Sequence, residues 1–225
     1  FGLLAMILWG LTLQGIIEFS PYGGSYWWHG HEMLFGFAAA IIAGFLLTAV
    51  QTWSGMPGLR GKPLMLLFLL WLVARVGLFV PYFSGGYLLP LLDMAFMPIA
   101  AIILARPLIV VKQLHNLFFV PVLLLFTVAN GLMHASVLST ELRYFQQGVN
   151  IALFLVAMVM VVVGGRVIPM FTANGTKTAK VSAIVWLDKL AVGSVGLIVV
   201  VHLLALIYVL PAPLMAALFL FAGSI

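Results

Sequence analysis

Cysteine is absent from all 225 residues, and only fifteen residues carry a formal charge. The missing thiols exclude a disulfide, an iron-sulfur cluster and a thiolate ligand for haem or copper. Any metal held here must use imidazole, thioether, carboxylate or backbone oxygen. Charged residues make up 7% of the chain, against about 25% in a soluble domain. With 65% hydrophobic residues, the composition is that of a polytopic helical membrane protein, all-α in fold class. The net charge of +5 does not point to nucleic acid. The basic residues are spread singly between apolar runs, as topology signals are. No initiator methionine and no cleavable signal is visible. Phe1 lies inside an apolar run, and residues 212–225 begin another. The sequence therefore reads as a piece of a longer chain, cut inside its first and last runs.

The runs predict seven to eight spans in one transmembrane domain over 1–225, at about 1–17, 31–53, 64–83, 87–105, 115–137, 145–168, 185–210 and 212–225. Pro169 is expected to end the sixth, and Ser84-Gly85-Gly86 to form a tight turn. In the second span Gly36, Ala40 and Gly44 make a stripe of small residues suited to close helix approach. Arg60, Lys62, Arg106, Lys112, Lys177 and Lys180 fall in alternate loops, with Arg166 at the same side. Arg143 is the one basic residue in the opposite loops. The positive-inside rule places the first set in the cytoplasm and His29 and His31 outside, in the periplasm.

Polar residues within the spans sit at matching depths. Arg75 and Asp93 are each nine residues from position 84, so each lies ~13 Å below that turn. Asn130 and Asn150 mirror about position 140, and His134 is one turn above Asn130 on the same face. With His31 and His202, these residues share the outer half of the bundle. Intramembrane polar groups are functional candidates by default, but each has a plainer reading. His202 reads first as a helix contact and second as a ligand. His115 reads as an interfacial anchor. Arg75 and Asp93 read as a structural ion pair before they read as catalytic groups. The eleven methionines form no spaced cluster and are packing.

The stretch Trp27-Trp28-His29-Gly30-His31-Glu32 is different. Two imidazoles flanked by aromatics and a carboxylate at the mouth of a span favour a ligand or proton role. The tryptophans suit a membrane interface, and Glu32 falls in the first predicted helical turn, where the dipole favours an anion. Two positions along a helix turn ~200°, so His29 and His31 cannot share one face.

The residues from Trp28 to Gly55 resemble the signature of the NnrS family. Trp71-Leu72-Val73-Ala74-Arg75, Ala129-Asn130-Gly131-Leu132-Met133-His134, Gly165-Arg166-Val167-Ile168-Pro169-Met170-Phe171-Thr172 and Trp186-Leu187-Asp188 agree with it in order and spacing. The resemblance implies a bacterial inner-membrane protein of about twelve helices, of which this chain would be the first two thirds or less. It implies haem and copper binding, and a role in the response to nitric oxide and in protection from nitrosative stress. It names a process rather than a reaction. Its implied partners are membrane lipid and nitric oxide or a nitrosylated metal species, with no nucleic acid. On this reading His29, His31 and His134 are the metal candidates, joined by His202 as a cofactor ligand. Arg75 is a partner for haem propionates, and Arg166 is on the wrong side for them. Glu32, Asp93, Asn130, Asn150 and Arg166 are supporting polar groups. The alternatives are a transporter of a metal or small solute, and a sensor or assembly subunit without chemistry of its own.

Overall fold

The computed structural model describes residues 1–80, 86–179, 181–208 and 211–224. Among these residues every regular element is a helix. In chain order they are α1 (Gly2–Leu13), α2 (Ser25–Ser54), α3 (Lys62–Leu78), α4 (Leu88–Val110), α5 (Asn116–Ser139), α6 (Leu142–Thr176), α7 (Val185–Leu204) and α8 (Ala212–Gly223). α5 opens on one 3-10 turn, Asn116–Phe118. Helices α2, α4, α5, α6 and α7 are long and apolar enough to cross a membrane. The 17 residues of α3 reach about 25 Å. The chain divides into two compact units, Phe1–Ala152 and Leu153–Ile225.

In the first unit α4 is the central helix, packed against α2, α3 and α5. Its buried residues Asp93, Met97, Ala100, Leu104 and Leu108 recur every three or four positions and form one stripe. The matching stripe of α5 is Val122, Phe126, Asn130, Met133 and His134. Apolar surface gains nothing by leaving lipid for protein, so close packing and polar bonds must hold such helices together. Small residues meet that need. Ala39, Ala43, Ala74, Ala100, Ala101 and Ala129 are each 1% exposed or less. Large apolar side chains point the other way: Leu66, Leu91 and Ile102 are exposed, as lipid-facing residues are.

Several boundaries depart from the sequence expectation. α2 begins at Ser25 rather than at residue 31, after a Gly23-Gly24 turn with φ +71° and +85°. The segment before it folds back, and the Tyr22 N–H donates to the Leu78 carbonyl at 3.1 Å. α2 then widens into a π-helical stretch, Glu32–Ala38. α4 runs through Arg106-Pro107 to Val110, and α6 passes Pro169 and ends at Thr176. A proline removes one main-chain donor, yet helices in lipid keep their remaining bonds because no water competes for them. α7 ends at Leu204, short of the expected 210. Ser84, Gly85, Lys180 and Leu210 lie outside the described residues.

The glycines separate into used and unused. Of the predicted small-residue stripe, only Gly36 serves close approach. A Cβ on Gly44 would meet nothing within 4 Å, because that position faces outward. Gly148 on α6, by contrast, lies against the α5 backbone. A Cβ there would stand 2.7 Å from the Ala129 carbonyl oxygen and 3.1 Å from the Met133 nitrogen. Overpacking of this kind costs about 1–3 kcal/mol. Gly148→Ala is therefore expected to lower the unfolding midpoint of the detergent-solubilised protein. Gly44→Ala should leave that midpoint unchanged or raise it, since alanine is the better helix former. Equal midpoints for the two variants would contradict this packing.

Candidate metal centre

Six polar side chains from four helices meet inside the first unit. α2 supplies His31 and Glu32, at the start of its π-helical stretch, α3 supplies Arg75, α4 supplies Asp93, and α5 supplies Asn130 and His134. All are 4% exposed or less. Arg75 lies between two carboxylates. Its Nη1 donates to Glu32 Oε1 at 2.6 Å, and its Nη2 donates to Asp93 Oδ1. The pairing that the matched depths of Arg75 and Asp93 suggest is thus present, but as a three-body arrangement that includes Glu32.

The other oxygen of Asp93 is the hub. Asn130 Nδ2 donates to Asp93 Oδ2 at 2.7 Å. His31 Nε2 and His134 Nε2 each lie 3.0 Å from the same oxygen. His31 Nε2 also lies 2.8 Å from Asn130 Oδ1, and its Nδ1 lies 3.2 Å from Glu32 Oε1. Both ring nitrogens of His31 therefore face acceptor oxygens. A neutral imidazole has one N–H and cannot satisfy both sides. His134 Nδ1 is 3.3 Å from the Tyr22 hydroxyl. Burial pushes the Tyr22 phenol up to about 12, so it keeps its proton at neutral pH.

The charges do not cancel. Glu32 and Asp93 carry two negative charges and Arg75 one positive, which leaves a single negative charge inside the unit. An unbalanced buried charge is costly. Glu32 Oε2 is also buried, with no hydrogen-bond partner among the described residues. A cation offsets the surplus charge, either as a proton on imidazole or as a metal ion. His31, Asp93 and His134 can offer an ion one donor atom each, all within 4.8 Å of one another.

Local structure explains why these groups converge. The π-helical widening shifts the register of α2, a device frequent at functional sites. Within it the Gly36 carbonyl accepts the Trp71 indole N–H of α3 at 3.1 Å. Gly36 also clears space for the ion pair. A Cβ there would lie 2.5 Å from Glu32 Oε2 and 3.1 Å from Arg75 Nη1. The His31 ring stacks on Trp27 at 4.6 Å and 11° and also contacts Phe35 and His134. Trp27 is fixed in turn, its Nε1 donating to the Met133 carbonyl at 3.0 Å and to Ser136 Oγ at 3.2 Å.

His29, Asn150 and His115, the other candidates in the first unit, are not part of this cluster. His29 is half-buried on the other side of α2, stacked on Trp9 at 4.5 Å and 6°. Asn150 on α6 is half-buried and is not part of the hydrogen-bonded group. His202 and Arg166 belong to the second unit. There His202 lies beside Phe154 and Phe219, and Arg166 is exposed. His115 is exposed at the start of α5. Two of the local roles change. Glu32 is not in a first helical turn, since α2 begins seven residues earlier, so Arg75 rather than the dipole holds it. Trp27 and Trp28 are buried rather than spread at an interface. Trp28 packs against Phe19 and Phe79. Tyr22 is the functional neighbour that sequence reasoning misses, while Gly36 was singled out for helix packing alone. The Gly23-Gly24 turn, which folds Tyr22 back over the helix end, was the only sequence signal for Tyr22.

Fold and site together define a polytopic helical membrane protein with a buried His-Asp-His centre. The chain belongs to the NnrS protein family, whose model matches residues 1–225. Comparison with curated proteins gives no match, and neither does comparison with solved structures.

The three-body arrangement orders two substitutions. Asp93→Asn leaves Arg75 paired with Glu32, whereas Arg75→Met leaves two facing carboxylates without a cation. Breaking a buried pair costs about 3–5 kcal/mol. Arg75→Met is expected to lie at or above that range and Asp93→Asn below it, as measured by unfolding in detergent. A larger loss for Asp93→Asn would contradict the arrangement.

Proposed function

We propose that this chain is the metal-holding part of a bacterial inner-membrane protein of the nitric oxide response, and that His31, Asp93 and His134 bind copper. One observation carries the reading: Asp93 Oδ2 stands 3.0 Å from an imidazole Nε2 on each of two other helices. Donors of one tetrahedral ion with bonds of about 2.0 Å are separated by roughly 3.3 Å, so small side-chain shifts suffice. Two imidazoles and one carboxylate suit copper as they suit iron or zinc, and the family resemblance favours copper. The net negative charge of the cluster favours a cation. Family membership supports the process and the metal, and the five apolar helices support the membrane setting.

The protein groups around the donors have defined tasks. With Nε2 turned to an ion, His31 Nδ1–H donates to Glu32 and His134 Nδ1–H donates to Tyr22. An oxygen behind each imidazole fixes its tautomer and raises its basicity, a usual feature of metal-bound histidine. Asn130 and Arg75 orient the Asp93 carboxylate. Copper, when bound, supplies one-electron redox chemistry and a position for a small ligand. Haem does not fit these donors, because the His31 ring is enclosed by Trp27, Phe35 and His134. A macrocycle beside its Nε2 would displace them. We therefore assign an ion, not a haem, to the cluster.

Orientation follows from charge. In the first unit Arg60, Lys62, Arg106 and Lys112 are exposed at the helix ends opposite the cluster. The positive-inside rule makes the cluster end periplasmic.

The test is copper per protein in the intact, purified protein. His31→Ala, Asp93→Asn and His134→Ala should each lose most of the bound copper while remaining monodisperse. His29→Ala should retain it. Full copper in all three variants, or its loss in His29→Ala alone, would overturn the assignment.

A further inference from the structure

A cavity at the loop end of α2, α5 and α6 shares a wall with the cluster. It encloses about 390 Å³, and Tyr26, Trp27, Ser136, Val137, Leu142 and Phe145 line it. Tyr26 is 70% exposed and Leu142 65%, so the mouth opens at the surface of the unit. Trp27 forms the inner wall and is only 5% exposed. Its indole lines the cavity and stacks on His31, and its centroid is 5.4 Å from that of His134. Two hydrogen bonds from Nε1 hold the ring. Gly23 lets the chain cross over it, since a Cβ there would come 2.7 Å from the indole.

No residue lining the cavity carries a charge. An anion inside it would lose hydration and find no compensating partner. Three protein donors leave a tetrahedral ion one place for an outside ligand. We propose that this cavity is the access route by which a small uncharged lone-pair donor reaches the ion held by His31, Asp93 and His134, with Trp27 as the wall that moves to admit it. The proposal rests on the copper reading of the cluster. The stacked contact between Trp27 and His31 makes the passage size-selective. The aromatic lining makes it selective against charge.

Two measurements on the intact protein test the route. In the first, carbon monoxide is the probe, and its recombination with the reduced, copper-loaded protein is followed by infrared absorption after photolysis. In the protein that retains copper, Trp27→Ala should speed recombination by about tenfold or more, a lowering of the barrier by about 1.4 kcal/mol. In the second, Val137→Cys is introduced, which gives residues 1–225 their first thiol. It is treated with neutral methyl methanethiosulfonate and with the anionic sulfonatoethyl analogue, each rate being referred to that of exposed Lys62→Cys. The neutral reagent should be favoured by about tenfold or more, and its product should slow carbon monoxide recombination.

Unchanged recombination in both Trp27→Ala and the modified Val137→Cys, with copper intact, would overturn the route. A protein that binds no copper would sink the metal reading instead. The labelling ratio then decides the cavity by itself: preference for the neutral reagent upholds an uncharged ligand, and equal relative rates overturn it.

Discussion

The placement of Arg75 between Glu32 and Asp93 is the constraint on which the first unit depends. A guanidinium this deep in an apolar bundle must be paired, and each carboxylate needs it equally. The pairing ties α2, α3 and α4 together at one level. Asp93 then extends the tie to α5 through Asn130 and His134. Arginine suits the position because its fork reaches two carboxylates at once, which a lysine ammonium does less well. What remains after pairing is one negative charge and a histidine facing acceptors on both sides. That surplus makes the cluster more than a structural staple, because it calls for a proton or a metal ion.

Much of this was legible in the sequence. A chain with so few charges makes each buried polar residue conspicuous, and helical rise converts position into depth. That arithmetic put Arg75 and Asp93 level and, with Asn130, His134 and His31, in the outer half of the bundle, and the structure brings these five together. The rotation of ~200° between His29 and His31 likewise matches their opposite surroundings, Trp9 for one and the cluster for the other. Depth says nothing of azimuth, however. Asn150 shared the expected level and is absent from the cluster's bonds, and His202 belongs to the second unit. Arg166, by contrast, was expected at the other side.

The parts that were not legible have a common cause. The first helical residue of α2 was misjudged because glycines and aromatics at 18–30 read as loop. Starting the helix at Ser25 turned Glu32 from a capping anion into an ion-pair partner. The π-helical turn has no sequence signature, yet Glu32 stands at its start and its Gly36 carbonyl accepts the Trp71 indole N–H. Pro107 and Pro169 were read as breakers by the rules of water-exposed helices. In an apolar setting α4 and α6 continue through them.

X-ray absorption at the copper edge of the loaded, intact protein tests the central claim most directly. The account predicts a nearest shell of nitrogen and oxygen alone, outer-shell scattering from two imidazole rings, and one ring fewer in His134→Ala. A sulfur shell near 2.3 Å, or an imidazole count unchanged by removal of either His31 or His134, would contradict it.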